Sequence, residues 1–149
     1  MLDKEAIRTA AIDYLSRREH SKKELFDKIF AKGAQQSDIK EVISNLEQNN
    51  LQSDDRFTEG FINSRINKGH GPLKIVTELK NKGIDISTCE LGYDQHQWIE
   101  LAKKVREKRF GKELPQDQNN KAKQIRFLQY RGFNFDQVKC AINENEHYE

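Results

Sequence analysis

The sequence predicts an all-α protein built from three tandem three-helix repeats. A basic residue followed by glycine recurs at Lys32-Gly33, Lys82-Gly83 and Arg131-Gly132, with the glycines 50 and 49 residues apart. Around each glycine the apolar pattern repeats in register. Phe26, Val76 or Ile125 stands seven residues before it, and Ile29, Leu79 or Leu128 four before. Six residues after it come Ile39, Cys89 and Val138, and ten after come Ile43, Tyr93 and Ile142. That is helical spacing leading into a glycine stop, followed by the start of another helix. Strand patterning is nearly absent. Ile84-Asp85-Ile86 alternates but is three residues long, and it reads as a linker.

The elements follow in order. Ile7, Ala10, Ala11, Tyr14 and Leu15 form one apolar stripe on a first helix. Ser21-Lys22-Lys23-Glu24 is a capping box for the second helix, which Gly33 ends. Ser37, Ser87 and Asp136, four residues past the three glycines, are the expected N-caps of the third helix in each repeat. In the second repeat Ser53-Asp54-Asp55 opens a helix carrying Phe57, Phe61, Ile62 and Ile66. In the third, Trp98, Ile99, Ala102 and Val105 lead to Phe110-Gly111, and a longer polar loop holds Pro115 and Asn119-Asn120. The expectation is nine helices, with repeats at 1–52, 53–95 and 96–149. Units of ~50 residues bury little surface alone, so neighbours must lean on one another. Such a chain is expected to be elongated and curved, with a long face for a partner.

Composition narrows the function classes. Charged residues make up 34% of the 149 and mean hydropathy is −0.94, which describes a soluble chain with thin cores. Leu, Ile, Val and Phe still number 36, above the level of a disordered chain. No apolar run approaches the ~18 residues a membrane helix needs, and MLDKEAIRTAA lacks a signal-peptide core. A cytoplasmic location is therefore expected, with Cys89 and Cys140 as buried, reduced thiols. His20, His70, His96 and His147 have no metal-ligand spacing with one another or with cysteine, and no nucleophile or phosphate-loop motif occurs. His20 reads as part of an exposed turn, and His96 and His147 as surface residues. Asp54-Asp55 complements the dipole of a helix start better than it suggests a divalent ion. We expect no enzyme, no cofactor and no metal.

Charge is uneven. Residues 1–50 carry nine acids and nine bases, whereas Leu101 to Cys140 carry eleven Lys and Arg against four acids. This is either a solvated helical face or a surface for a polyanion or an acidic protein. Gly69-His70-Gly71-Pro72 has two readings as well. Pro72 suits the first helical position with Gly71 as cap. Alternatively, free N–H groups there, with Lys68 and Lys74 alongside, hold a phosphate or carboxylate. Three-helix units resemble helix-turn-helix domains, yet SDIKEVISNLEQ offers no Arg or Asn/Gln cluster for base edges, which argues against sequence-specific readout. Phe127, Tyr130, Phe133 and Phe135 interleave with Arg126 and Arg131, a pattern compatible with base stacking, although core packing accounts for most of them.

Four blocks, LSRREHSKKEL (15–25), DDRF (54–57), GHGP with IVTELKNKGI (69–84) and RFLQYRGF (126–133), together resemble the RecX family of recombinase regulators over about residues 5–145. Tyr130 departs from the basic residue expected at its position. The resemblance implies an all-α tandem-repeat fold and a cytoplasmic regulator of the RecA recombinase. It implies binding along the groove of the RecA filament on single-stranded DNA, suppressing its growth, ATPase, strand exchange and the SOS response. The motif glycines, Phe57 and Phe127 read as structural. For partner or DNA contact, charge placement nominates exposed bases: Arg65, Lys68 and Lys74 around the central turn, and Arg106, Arg109, Lys121, Lys123, Arg126 and Arg131 in the third repeat. A monomer is expected. The alternative is a helical DNA-binding module that acts through non-specific phosphate contacts without a protein partner.

Overall fold

In the computed structural model, which describes residues 2–143, helix α1 (Lys4–Arg17) begins where the Asp3 side chain accepts the Ala6 N–H at 2.8 Å. Ser21 and Glu24 close the expected capping box at the start of α2 (Lys22–Phe30). The first repeat ends with α3 (Gln36–Gln48), whose Ile39, Val42, Ile43 and Leu46 are buried. Asp54 starts α4 (Asp54–Asn67), Ser53 accepting the Arg56 N–H, and Pro72 is the first residue of α5 (Pro72–Asn81). After a short 3-10 turn (Thr88–Glu90) come α6 (Gln95–Phe110), α7 (Gln118–Tyr130) and α8 (Phe135–Ile142). The described residues contain no strand.

Among the described residues eight α-helices form where nine were expected. The missing one is the third helix of the middle repeat. Ser87 does cap there, but Thr88 and Cys89 are weak helix formers and Gly92, at φ 93°, stops the chain after one turn. Two other expected N-caps move by two residues. Gln35, without a side-chain hydrogen bond, precedes α3. Asn134 closes a capping box with Gln137 and starts α8 in place of Asp136. The third helices of the first and third repeats thus begin sooner after their glycines than the polar residue at +4 suggested.

The repeated glycine stops behave alike in the second and third repeats. Ile84 N–H donates to Leu79 O at 2.9 Å and Phe133 N–H to Leu128 O at 3.2 Å. In these Schellman closures the leucine four residues before the glycine accepts the returning bond while its own side chain is fully buried. Gly132, at φ 99°, sits so close to α5 that a Cβ would overlap that of Lys74.

The described residues divide into two compact units, residues 2–61 with Leu79–Asp85, and Ile62–Glu78 with residues 86–143. Both α4 and α5 contribute one end to each. The first unit packs around Ile7, Ala11, Leu25, Ile29, Ile39 and Leu46, with Tyr14 and Phe26 partly buried against them. Its polar residues tie motif blocks together. Asp54 accepts the Lys22 N–H at 2.9 Å and Arg56 donates to Glu19 at 2.8 Å, so residues of DDRF hold the turn and helix start of REHSKKEL. Glu24 accepts from Arg18 and pairs with Lys82 at 3.1 Å. His20, expected in an exposed turn, is buried at 2% exposure. Its Nδ1 lies 3.0 Å from Arg18 O and its Nε2 2.8 Å from Lys28 Nζ. Burial, more than any neighbour, pushes the His20 pKa below its usual value.

Further expectations are corrected on the surface. Cys89 is exposed, whereas Cys140 is buried, and neither forms a disulfide. Phe133 is core, but Phe135 and Tyr130 are 70% and 80% exposed. His96 is exposed as expected, while His147 lies outside the described residues.

Candidate functional site

The GHGP turn lies in the second unit, and its geometry decides between its two readings. Gly71 N–H donates to Arg131 O at 2.7 Å and Leu73 N–H to Gly132 O at 2.9 Å. The amides that could have held an anion at the start of α5 are therefore taken by carbonyls at the end of α7. A Cβ on Gly71 would come within 2.5 Å of the Gly132 carbonyl carbon, so only glycine permits this approach. The turn is a helix joint.

The approach has a consequence for charge. Gly69, at φ 83°, lies against α6, where a Cβ would meet Val105 at 2.8 Å. This brings Lys68 beside the end of α7, and Arg131 Nη1 donates to the Lys68 carbonyl at 3.3 Å. Arg131 Cζ stands 4.9 Å from the centroid of the Phe127 ring and Arg109 Cζ 5.9 Å from it. Phe110 meets Phe127 edge-on at 5.3 Å and holds it in place. One ring therefore positions two guanidinium groups.

Between these elements opens a cleft of about 470 Å³. Lys68, Arg109 and Arg131 line it together with Lys104 and Lys108 from successive turns of α6. Ile66, Tyr93, Leu101 and Phe127 supply its apolar wall, and no carboxylate is among its lining residues. Five cations around one concave surface attract anions more strongly than the same charges spread over a face.

The remaining nominated residues fall elsewhere. The expectation of an exposed Arg106 is corrected. It is buried at 2% exposure, and its guanidinium donates to the carbonyls of Gly111, Lys112 and Glu113 at 3.2–3.3 Å, tying the long polar loop to α6. Arg65 donates to Glu78 at 3.1 Å, both about a quarter exposed, so its charge is largely compensated. His70 Nδ1 lies 3.6 Å from the same carboxylate, and burial first of all lowers its pKa. Lys74 Nζ sits 5.2 Å over the Tyr130 ring. Lys123 and Arg126 are exposed on α7 and Lys121 is half-buried there; none of the three lines the cleft. Lys104 and Lys108 were not nominated, although their i, i+4 spacing beside Leu101 and Val105 places them at the edge of an apolar stripe.

Among the described residues there is no cluster of three or more His, Cys, Asp or Glu able to hold a metal, and no helix long and apolar enough to cross a membrane. The arrangement is suited to binding anions.

Known proteins match most of this chain. Models of the first, second and third three-helix domains of RecX match residues 8–46, 53–90 and 95–142. The regulatory protein RecX of Halorhodospira halophila is 37% identical over 139 residues, covering 92% of this chain and 86% of that one. That of Vibrio campbellii is 38% identical over 136 residues, covering 90% and 88%. The crystal structure of RecX from Lactobacillus salivarius matches with a TM-score of 0.79 at 27% identity, over 95% of this chain and 96% of that one. Repeats, fold and relatives agree: this chain belongs to the RecX family of regulatory proteins.

Proposed function

We propose that this protein binds the RecA filament on single-stranded DNA and restrains its growth, ATPase and strand exchange, and thereby recombination and the SOS response. The observation that carries this reading is family membership extending over all three repeats. The carboxylate-free basic cleft supports it, since such a surface is complementary to DNA phosphate or to acidic protein side chains. The protein acts as a cytoplasmic monomer without a cofactor. Contacts come from Lys68, Arg109 and Arg131 with Lys104 and Lys108, and from Lys123 and Arg126 on the exposed side of α7, with Lys74 and Lys121 alongside.

The test is the RecA ATPase on single-stranded DNA with substoichiometric amounts of this protein. Inhibition that weakens when Arg109, Lys123 and Arg126 are together changed to Glu is the expected result. Full inhibition by that triple variant would refute the contact assignment, and no inhibition at any ratio would refute the function. A second reading, a module bound to DNA phosphate alone, rests on the same five cations. It predicts a steep salt dependence without RecA, about 0.7 log units of affinity per log unit of salt for each phosphate contact.

A further inference from the structure

We infer that the cleft between the Lys68 turn, α6 and α7 is a binding site for a free nucleoside polyphosphate. This goes beyond the filament reading, although it uses some of the same cations. Size is the first argument. At about 470 Å³ the cleft has the size of a small-molecule site. Charge density is the second. A single strand brings one negative charge per nucleotide, so a strand crossing this cleft engages its five cations less densely than a compact polyphosphate does. A nucleoside triphosphate concentrates about four charges in the same space.

Preorganisation is the third argument. Phe127 holds Arg109 and Arg131 against its ring, and Arg131 is also anchored to the Lys68 carbonyl. Guanidinium forks restrained in this way lose less rotamer freedom on gripping phosphate oxygens, and Arg–phosphate pairs are often bidentate. Lys104 and Lys108 bring compact charges from successive turns of α6. The ligand is more than a polyphosphate chain, because Ile66, Tyr93 and Leu101 form an apolar wall beside the cations on which a flat base can lie.

Calorimetric titration of the full-length protein, without magnesium and at low salt, tests this with ATP, ADP, AMP, tripolyphosphate and a short oligothymidylate of the same net charge as ATP. Affinity is expected to fall about fivefold or more at each step from ATP to ADP to AMP, with tripolyphosphate weaker than ATP. Lys104→Glu with Lys108→Glu, both exposed, should weaken ATP at least tenfold, whereas Lys40→Glu on α3 should not. Phe127→Leu, which keeps apolar bulk but removes the ring, should weaken ATP severalfold, with circular dichroism checking that the helices are intact. Equal affinity for ATP and AMP would overturn the proposal. So would equal affinity for ATP and tripolyphosphate, undiminished binding by the Lys104/Lys108 variant, or an oligothymidylate that binds the cleft as tightly as ATP. No filament is present in this titration, so its failure and that of the filament reading are separate results.

Discussion

Changing Glu24 to Gln removes one charge from the first unit with almost no change of volume. The carboxylate is 7% exposed. It accepts from Arg18 Nη1 and Nη2 at 3.1 and 2.9 Å and from the Ser21 N–H at 3.1 Å, and it pairs with Lys82 Nζ at 3.1 Å. Burial by itself would raise its pKa. The bonds from Arg18, Ser21 and Lys82 outweigh that and hold it at about 2, against an ordinary 4.5. Taken whole, that gap corresponds to about 3 kcal/mol of stability at neutral pH. Arg18 and Lys82 are 49% and 39% exposed, so solvent screening reduces the expected loss in Glu24→Gln to about 2 kcal/mol. The sign follows from the depressed pKa. The contribution is complete above the unfolded value of 4.5 and is lost as pH falls from there through about 2. Urea unfolding, which leaves ion pairs unscreened, should show the full difference between wild type and variant at pH 7. At pH ~2.5 about a quarter of it should remain. The same difference at both pH values would refute the ionic account.

Two further changes separate architecture from binding. Arg106→Met should cost about 3 kcal/mol in a thermal or urea melt, because three loop carbonyls lose their buried donor. By contrast Arg109→Glu should leave stability within about 0.5 kcal/mol and act on binding alone. Among glycines, Gly33→Ala should cost about 1 kcal/mol, since φ is 95° but nothing lies near the added Cβ. Gly71→Ala should cost more, above about 2 kcal/mol, because its Cβ meets the Gly132 and Phe133 backbone; the reverse order would refute the close approach of the two turns.

The parts of this protein legible in its sequence are those whose physics is local. The Ser21–Glu24 capping box, Pro72 as the first residue of α5 and the leucines four residues before Gly83 and Gly132 all formed as read. Where the structure departs from expectation, a local signal often exists. Asn134 and Gln137 spell a capping box two residues before the expected cap. Gly92 announces the stop that leaves the middle repeat with a 3-10 turn. Arg106 lies four residues after Ala102 on the stripe of Trp98, Ala102 and Val105, so helical spacing already placed it on the buried face. Its charge suggested solvent, but three carbonyl partners outweighed that preference.

The cleft has no comparable signal. Charge counting marked residues 101–140 as basic and nominated Lys68, Arg109 and Arg131 among nine, without showing that these three share one wall. The sequence by itself determined the helices, their caps and the threefold repeat, because a cap or a glycine stop is settled within about four residues. Only the tertiary structure decided which cations are paired with Glu78 and which surround the Phe127 ring. Those outcomes depend on Gly69 meeting Val105 and on Arg131 reaching Lys68 across 63 residues of chain. Contacts at that separation are set by how helices pack, which local periodicity does not encode.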